Sequence, residues 1–171
     1  EQLRRGLPSY ASREASPTED SVPEILRSLA AFKPNGIEAD LREQLKSPAV
    51  FVRATAAELL AELPSSIENV DALRKALSYA LDNDKQYNDA QLAIMDALAK
   101  VAGRTSISSL SLAIYAPDYL VRLKAFDLLN QFPGWNDVGL TEKALEDWRL
   151  NTLTVKRYDS KQATKLGQAL N

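Results

Sequence analysis

From Ser21 onward, hydrophobic residues recur every three or four positions, the spacing that places them on one face of a helix. Ile25, Leu26, Leu29 and Phe32 form the first such stripe. Ser21-Val22-Pro23-Glu24 opens it as a capping box, and Lys33-Pro34-Asn35-Gly36 closes it. A second helix is expected over about Ile37–Lys46, carrying Leu41 and Leu45. Ser47-Pro48 breaks it and starts a third, since proline is tolerated in a first helical turn. That helix carries Val52, Ala56, Leu59, Leu60 and Leu63, and ends before Pro64. A second capping box at Ser65-Ser66-Ile67-Glu68 precedes a helix over about Val70–Leu81. Ala90–Val101, Ile107–Tyr115, Tyr119–Phe132, Thr141–Leu150 and Ser160–Leu170 continue the pattern. Strict alternation never persists; Thr152–Val155 is the best strand candidate and is short. The expected fold class is all-α.

The pattern also repeats. Residues 37–64 moved forward by 69 fall on residues 106–133, with Leu41 on Leu110, Pro48 on Pro117, Val52 on Val121 and Arg53 on Arg122. Ala56, Leu59, Leu60 and Pro64 likewise meet Ala125, Leu128, Leu129 and Pro133. The identities are concentrated at apolar, proline and arginine positions. A third unit lies between them: Leu77 and Leu81 stand where Leu41 and Leu45 do, and Ile94, Leu98 and Val101 where Ala56, Leu60 and Leu63 do. Its middle turn, Asp82 to Asp89, is longer. Helix pairs recurring at such intervals are the signature of an α-solenoid, here of about three to four units, each burying one face on its neighbours. Residues 1–20 (two prolines, little periodicity) read as a linker or loosely attached segment, 21–140 as the repeats, and 141–171 as a helical cap or the lead into a further domain.

The run Pro48…Val52-Arg53-x-x-Ala56-x-x-x-Leu60, seen again as Pro117…Val121-Arg122-x-x-Ala125-x-x-x-Leu129, resembles the second helix of HEAT repeats. The resemblance covers about residues 37–133 and implies a protein-binding scaffold rather than catalysis. Two departures bear on it. The middle unit has Ala90-Gln91 in place of Val-Arg, and the first turn lacks an aspartate; both argue against a continuous Asp–Arg ladder. Phe51-Val52-Arg53-Ala54-Thr55-Ala56 and Pro117-Asp118-Tyr119-Leu120-Val121-Arg122 also look like the helical arrays accompanying cyclophilin-type peptidyl-prolyl isomerase domains in multidomain bacterial proteins. That likeness implies an accessory domain, with Tyr158-Asp159…Lys165-Leu166-Gly167 leading toward the isomerase, whose own barrel is not in this chain.

Composition narrows the chemistry. With no cysteine, disulfides, thiolate metal sites and Cys nucleophiles are excluded. With no histidine, the commonest general base and metal ligand go too. Asp82-Asn83-Asp84-Lys85-Gln86 begins like a calcium loop, but Tyr87 and Ala93 occupy the places of its required Gly and Glu. Ser106, Ser108, Ser109 and Ser111 lack a histidine to activate them. No cofactor is expected. Lys plus Arg 21 against Asp plus Glu 23 gives −2, too balanced for nucleic acid or an anionic membrane. A DNA glycosylase on a HEAT fold would need a basic surface, whereas 65–140 holds seven basic against nine acidic residues; a bilin-lyase-like enzyme is the other catalytic alternative. The basic 141–171 tail reads as a solvated helix face, and Trp135 as a plug at the end of the core. The chain opens on Glu1 without a Met, as expected of a fragment or processed product, with cytoplasm and periplasm both open.

Projecting the second helices at 100° per residue gives the candidate binding row. Val52, Ala56, Leu59 and Leu63 share one direction, with Ala54, Ala57, Glu58 and Ala61 opposite. The repeat offsets carry the opposite side to Leu92, Met95 and Asp96, then to Leu123, Phe126 and Asp127. The expected site is a concave acidic column, Glu58, Asp96 and Asp127, beside apolar Leu92, Met95, Leu123 and Phe126. Its partner would be a basic amphipathic protein segment or a neighbouring domain. Pro48, Val52, Arg53, Leu60 and their counterparts Pro117, Val121, Arg122 and Leu129 are expected to be structural.

Overall fold

A computed structural model describes residues 21–135, and every regular element in that stretch is helical. The chain divides into two compact units, Glu1–Trp135 and Asn136–Asn171. The helices expected at 141–150 and 160–170, the strand candidate at 152–155 and the 1–20 linker lie outside the described residues.

Helix α1 spans Val22–Ala31, with Pro23 in the first turn where its missing N–H is not needed. Val22, Leu26 and Leu29 bury one stripe of it. Ser21 makes no side-chain cap bond. It has a helical backbone conformation, whereas a working N-cap is extended, so the first capping box does not form; Glu24 pairs with Arg27 instead (3.3 Å). The turn after α1 holds Lys33 at φ 43° and Gly36 at φ 77°, the latter a left-handed position that suits glycine. Helix α2 then covers Ile37–Gln44, and α3 covers Val50–Ala61.

The second capping box, expected from Ser65 to Glu68, does not form either: Ser65 Oγ donates to the Val101 carbonyl, and a simple N-cap forms one residue further along. Ser66 is the N-cap of α4 (Ile67–Asn83), its Oγ accepting from the Asn69 amide at 3.1 Å. Helix α5 runs Asp89–Ala102 and stops at Gly103, held at φ 52°. A 3-10 turn (Gly103–Ser106) leads into α6 (Ile107–Ala113), and Asp118 caps α7 (Tyr119–Leu129) by accepting from the Val121 amide.

Sequence neighbours pair, α2 against α3, α4 against α5 and α6 against α7. The members α1, α3, α5 and α7 also contact one another in succession, as do α2, α4 and α6. The odd-numbered helices are therefore flanked on several sides. In α3 this leaves Val52 and Ala56 buried, and Ala54 and Ala57 on the other side of the helix buried too. Leu60 and Leu129, equivalent in the repeat, are both fully buried. Trp135 is buried edge-on against Phe126 (5.6 Å between centroids, 88° between planes), its Nε1 donating to Asn130 Oδ1.

Candidate functional site

The arginines of the repeat do structural work. Arg53 is completely buried, and its Nη1 donates to the carbonyls of Ser47 (2.6 Å) and Pro48 (2.9 Å) in the turn before α3. Arg122 does the same one repeat later, to Ala116 and Pro117, both at 2.7 Å. The acceptors are offset by the same 69 residues as the donors. These carbonyls lie past a helix end, where no backbone partner is in register. In the middle unit Gln91 stands in Arg53's place. Its Nε2 donates to the Asp84 carbonyl in the preceding turn (3.2 Å) and to that of Ala80 in the last turn of α4 (2.8 Å), so a neutral amide ties this turn through different acceptors.

Arg53 goes further. Its Nη2 donates to both carboxylate oxygens of Asp84, in the turn after α4, and its guanidinium lies over the Tyr79 ring at 5.2 Å. This ion pair joins one helix pair to the next and takes up Asp84 of the calcium-like sequence. The next turn's aspartate, Asp118, instead accepts from Asn88 Nδ2 at 3.2 Å and caps α7. Among the described residues the Asp–Arg contact is therefore a single rung and not a ladder.

The predicted binding row comes out differently. Met95 is fully buried, Phe126 is 2% exposed and Leu123 7%, so these three cannot offer a docking surface and belong to the core. The projection found the side of each helix that faces away from its own pair, but α3, α5 and α7 stack through that side. Glu58, Asp96 and Asp127 are exposed, and Leu92 is half-buried. Two of the acids are already engaged, Glu58 with Arg27 at 3.5 Å and Asp96 with Lys124 at 2.7 Å.

What remains of the row is a groove of about 620 Å³ between α1, α3 and α5. Phe51 and Leu92 give it apolar wall, and Glu24, Glu58, Asp89 and Asp96 line it with Arg27, the one cation among its described lining residues. Arg27 bridges Glu24 and Glu58 and donates to Thr55 Oγ1 at 3.2 Å. Asp89 makes no ion pair with a described residue. The sequence pattern identified Glu58, Leu92 and Asp96 but missed Glu24, Arg27, Phe51 and Asp89. Arg27 three residues after Glu24 was a visible pair; its reach to Glu58 on another helix was not encoded in any spacing. Asp127 does not line this groove.

The described residues include no cluster of three or more His, Cys, Asp or Glu able to hold a metal, and no helix among them is long and apolar enough to cross a membrane. No protein-family model matches the chain, and no curated protein or solved structure matches it.

Proposed function

We propose that the chain is a HEAT-like α-solenoid of stacked antiparallel helix pairs and serves as a non-catalytic protein-binding scaffold. Its groove between α1, α3 and α5 receives a segment of a partner protein that carries Lys or Arg on one side and apolar residues on the other. The repeat offset shared by Arg53, Arg122 and their carbonyl acceptors supports the solenoid reading, as does the succession of contacts along α1, α3, α5 and α7. The observation that carries the binding reading is the charge of the groove: four carboxylates and one guanidinium line it beside Phe51 and Leu92, and Lys124 paired with Asp96 still leaves an excess of two negative charges. A basic amphipathic helix or strand matches both halves of that lining.

The test uses a labelled Lys/Leu amphipathic peptide and its Glu/Leu counterpart, with binding followed by fluorescence anisotropy. The basic peptide should bind and the acidic one should not. Asp89→Lys should weaken binding roughly tenfold, a loss of about 1.4 kcal/mol, and should cost the fold no more than about 1 kcal/mol, the effect of reversing the charge in the first turn of α5. Equal affinity for both peptides would refute the reading.

A further inference from the structure

A second groove, of about 690 Å³, lies between α2 and α4 and shares no residue with the first. It exists because α4 presents two alanines one turn apart, Ala72 and Ala76, opposite Leu45 just beyond the end of the short α2. The floor is apolar: Leu45 is 3% exposed and Ala76 5%. Tyr79 stands on the same lining as a half-exposed wall (48%), its ring fixed in place by the buried Arg53 guanidinium.

The rim is charged, with a small positive excess. Arg42, Lys46 and Lys75 line it against Glu68 and Asp71, three cations to two anions, a formal excess of one positive charge. Asp71 pairs with Arg74 at 3.4 Å. Glu68 is held by backbone amide and Ser66 hydrogen bonds at the start of α4. Arg42 is turned to Asn69 Oδ1 (2.6 Å) and Lys46 to Glu43 (2.6 Å). Lys75 is exposed and makes no ion pair with a described residue.

We infer that this groove is a binding site for a small amphipathic carboxylate. The acyl or aryl body lies on Leu45, Ala72 and Ala76 against Tyr79, and the carboxylate meets Lys75, with Lys46 as second cation. The volume falls within the roughly 300–1,000 Å³ of small-ligand sites, which join an apolar lining to a few placed polar groups. A carboxylate takes Lys75, the rim lysine with no ion pair to a described residue, whereas a cationic head group meets like charge at Lys75 and a neutral one forms no charge-assisted bond. The site is independent of the peptide groove, and either can fail alone.

Isothermal titration calorimetry of the full chain tests it with dodecanoate and 2-naphthoate as acyl and aryl carboxylates. Dodecyltrimethylammonium and dodecyl maltoside, kept below their micelle concentrations, supply the same tail with cationic and neutral heads. At least one carboxylate should bind, and whichever does identifies the body the trough prefers. The ammonium should bind roughly tenfold more weakly or not at all. Lys75→Glu should weaken carboxylate binding by a similar factor without altering the uptake of the neutral surfactant. Ala72→Leu, at a half-buried helix position where leucine is a good helix former, should fill the trough and weaken every ligand while circular dichroism reports an unchanged fold. Indifference to head group, no uptake of either carboxylate, or carboxylate binding unmoved in both variants would overturn the proposal.

Discussion

Arg53 and Arg122 occupy equivalent places in the repeat, yet their surroundings differ in one respect that sets what each contributes. Both tie two turn carbonyls to the following helix. Only Arg53 is also paired with a buried aspartate, the two side chains being 0% and 7% exposed. Removing it strands the Asp84 carboxylate away from water as well as freeing the carbonyls. Breaking a buried pair on one side costs on the order of 3–5 kcal/mol. Losing charge-assisted bonds to carbonyls costs about 1.5–3 kcal/mol. Arg53→Ala should therefore destabilise the protein by more than Arg122→Ala, as measured by urea denaturation. The double replacement Arg53→Met with Asp84→Leu should recover much of the difference, since replacing both partners by apolar groups is often near neutral. Equal losses in the two single variants would mean that the Asp84 contact adds nothing.

At the scale of the element, helix starts separate the residues that cap from those that only look as if they do. Ser66 is extended and accepts from the Asn69 amide, whereas Ser21 is helical and makes no side-chain cap bond. Ser66→Ala should cost about 1 kcal/mol, and Ser21→Ala should fall within the scatter of surface changes. Glu68, two residues into the same start, has its carboxyl held below the ordinary glutamate value of 4.5, first by a backbone hydrogen bond, then by Ser66, with Arg42 adding a smaller pull. A depressed folded-state value favours the native state above the unfolded value and loses that contribution as pH falls through the folded one. Glu68→Gln should therefore shallow the loss of stability below about pH 4.5 and leave the neutral-pH slope alone. These examples also mark what was legible in the chain. The repeat offset of 69 identified Arg53 and Arg122 as equivalent and structural, because the same turn geometry demands a donor at the same distance along the chain. It passed over Gln91, since an amide and a guanidinium share function there without sharing chemistry. The burial of Met95, Leu123 and Phe126 was not legible. Helical projection gives a direction around one axis, and burial depends on how many neighbours lie in that direction. The groove residues Glu24 and Arg27 were hidden for the same reason.

Across the described unit, the cohesion of the helices and the proposed binding of a basic segment should respond to salt in different degrees. The pairs linking successive helices at the surface, Arg27 with Glu58, Lys100 with Glu62 and Lys124 with Asp96, are all substantially exposed. Such pairs are each worth about 0–1 kcal/mol, and salt screens them further. The pair that is shielded, Arg53 with Asp84, lies out of reach of that screening. Apolar burial along α3, α5 and α7, through Val52, Leu60, Ile94, Leu98, Val121 and Leu129, supplies the remaining cohesion and is insensitive to moderate sodium chloride. Raising salt from about 0.1 M to 1 M contracts the screening length from about 10 Å to 3 Å. The thermal midpoint should move little over that range. Binding of the basic peptide to the α1/α3/α5 groove should weaken steeply, because its attraction comes from carboxylates at an open surface. Lys75-dependent carboxylate binding should weaken as well, but less for the longer acyl chain, whose trough contact does not depend on charge. Calorimetric melts and titrations at the two salt concentrations measure all three. A midpoint that fell with salt as steeply as peptide affinity would place the cohesion of the helices in their surface ion pairs, and would contradict the packing described for α3, α5 and α7.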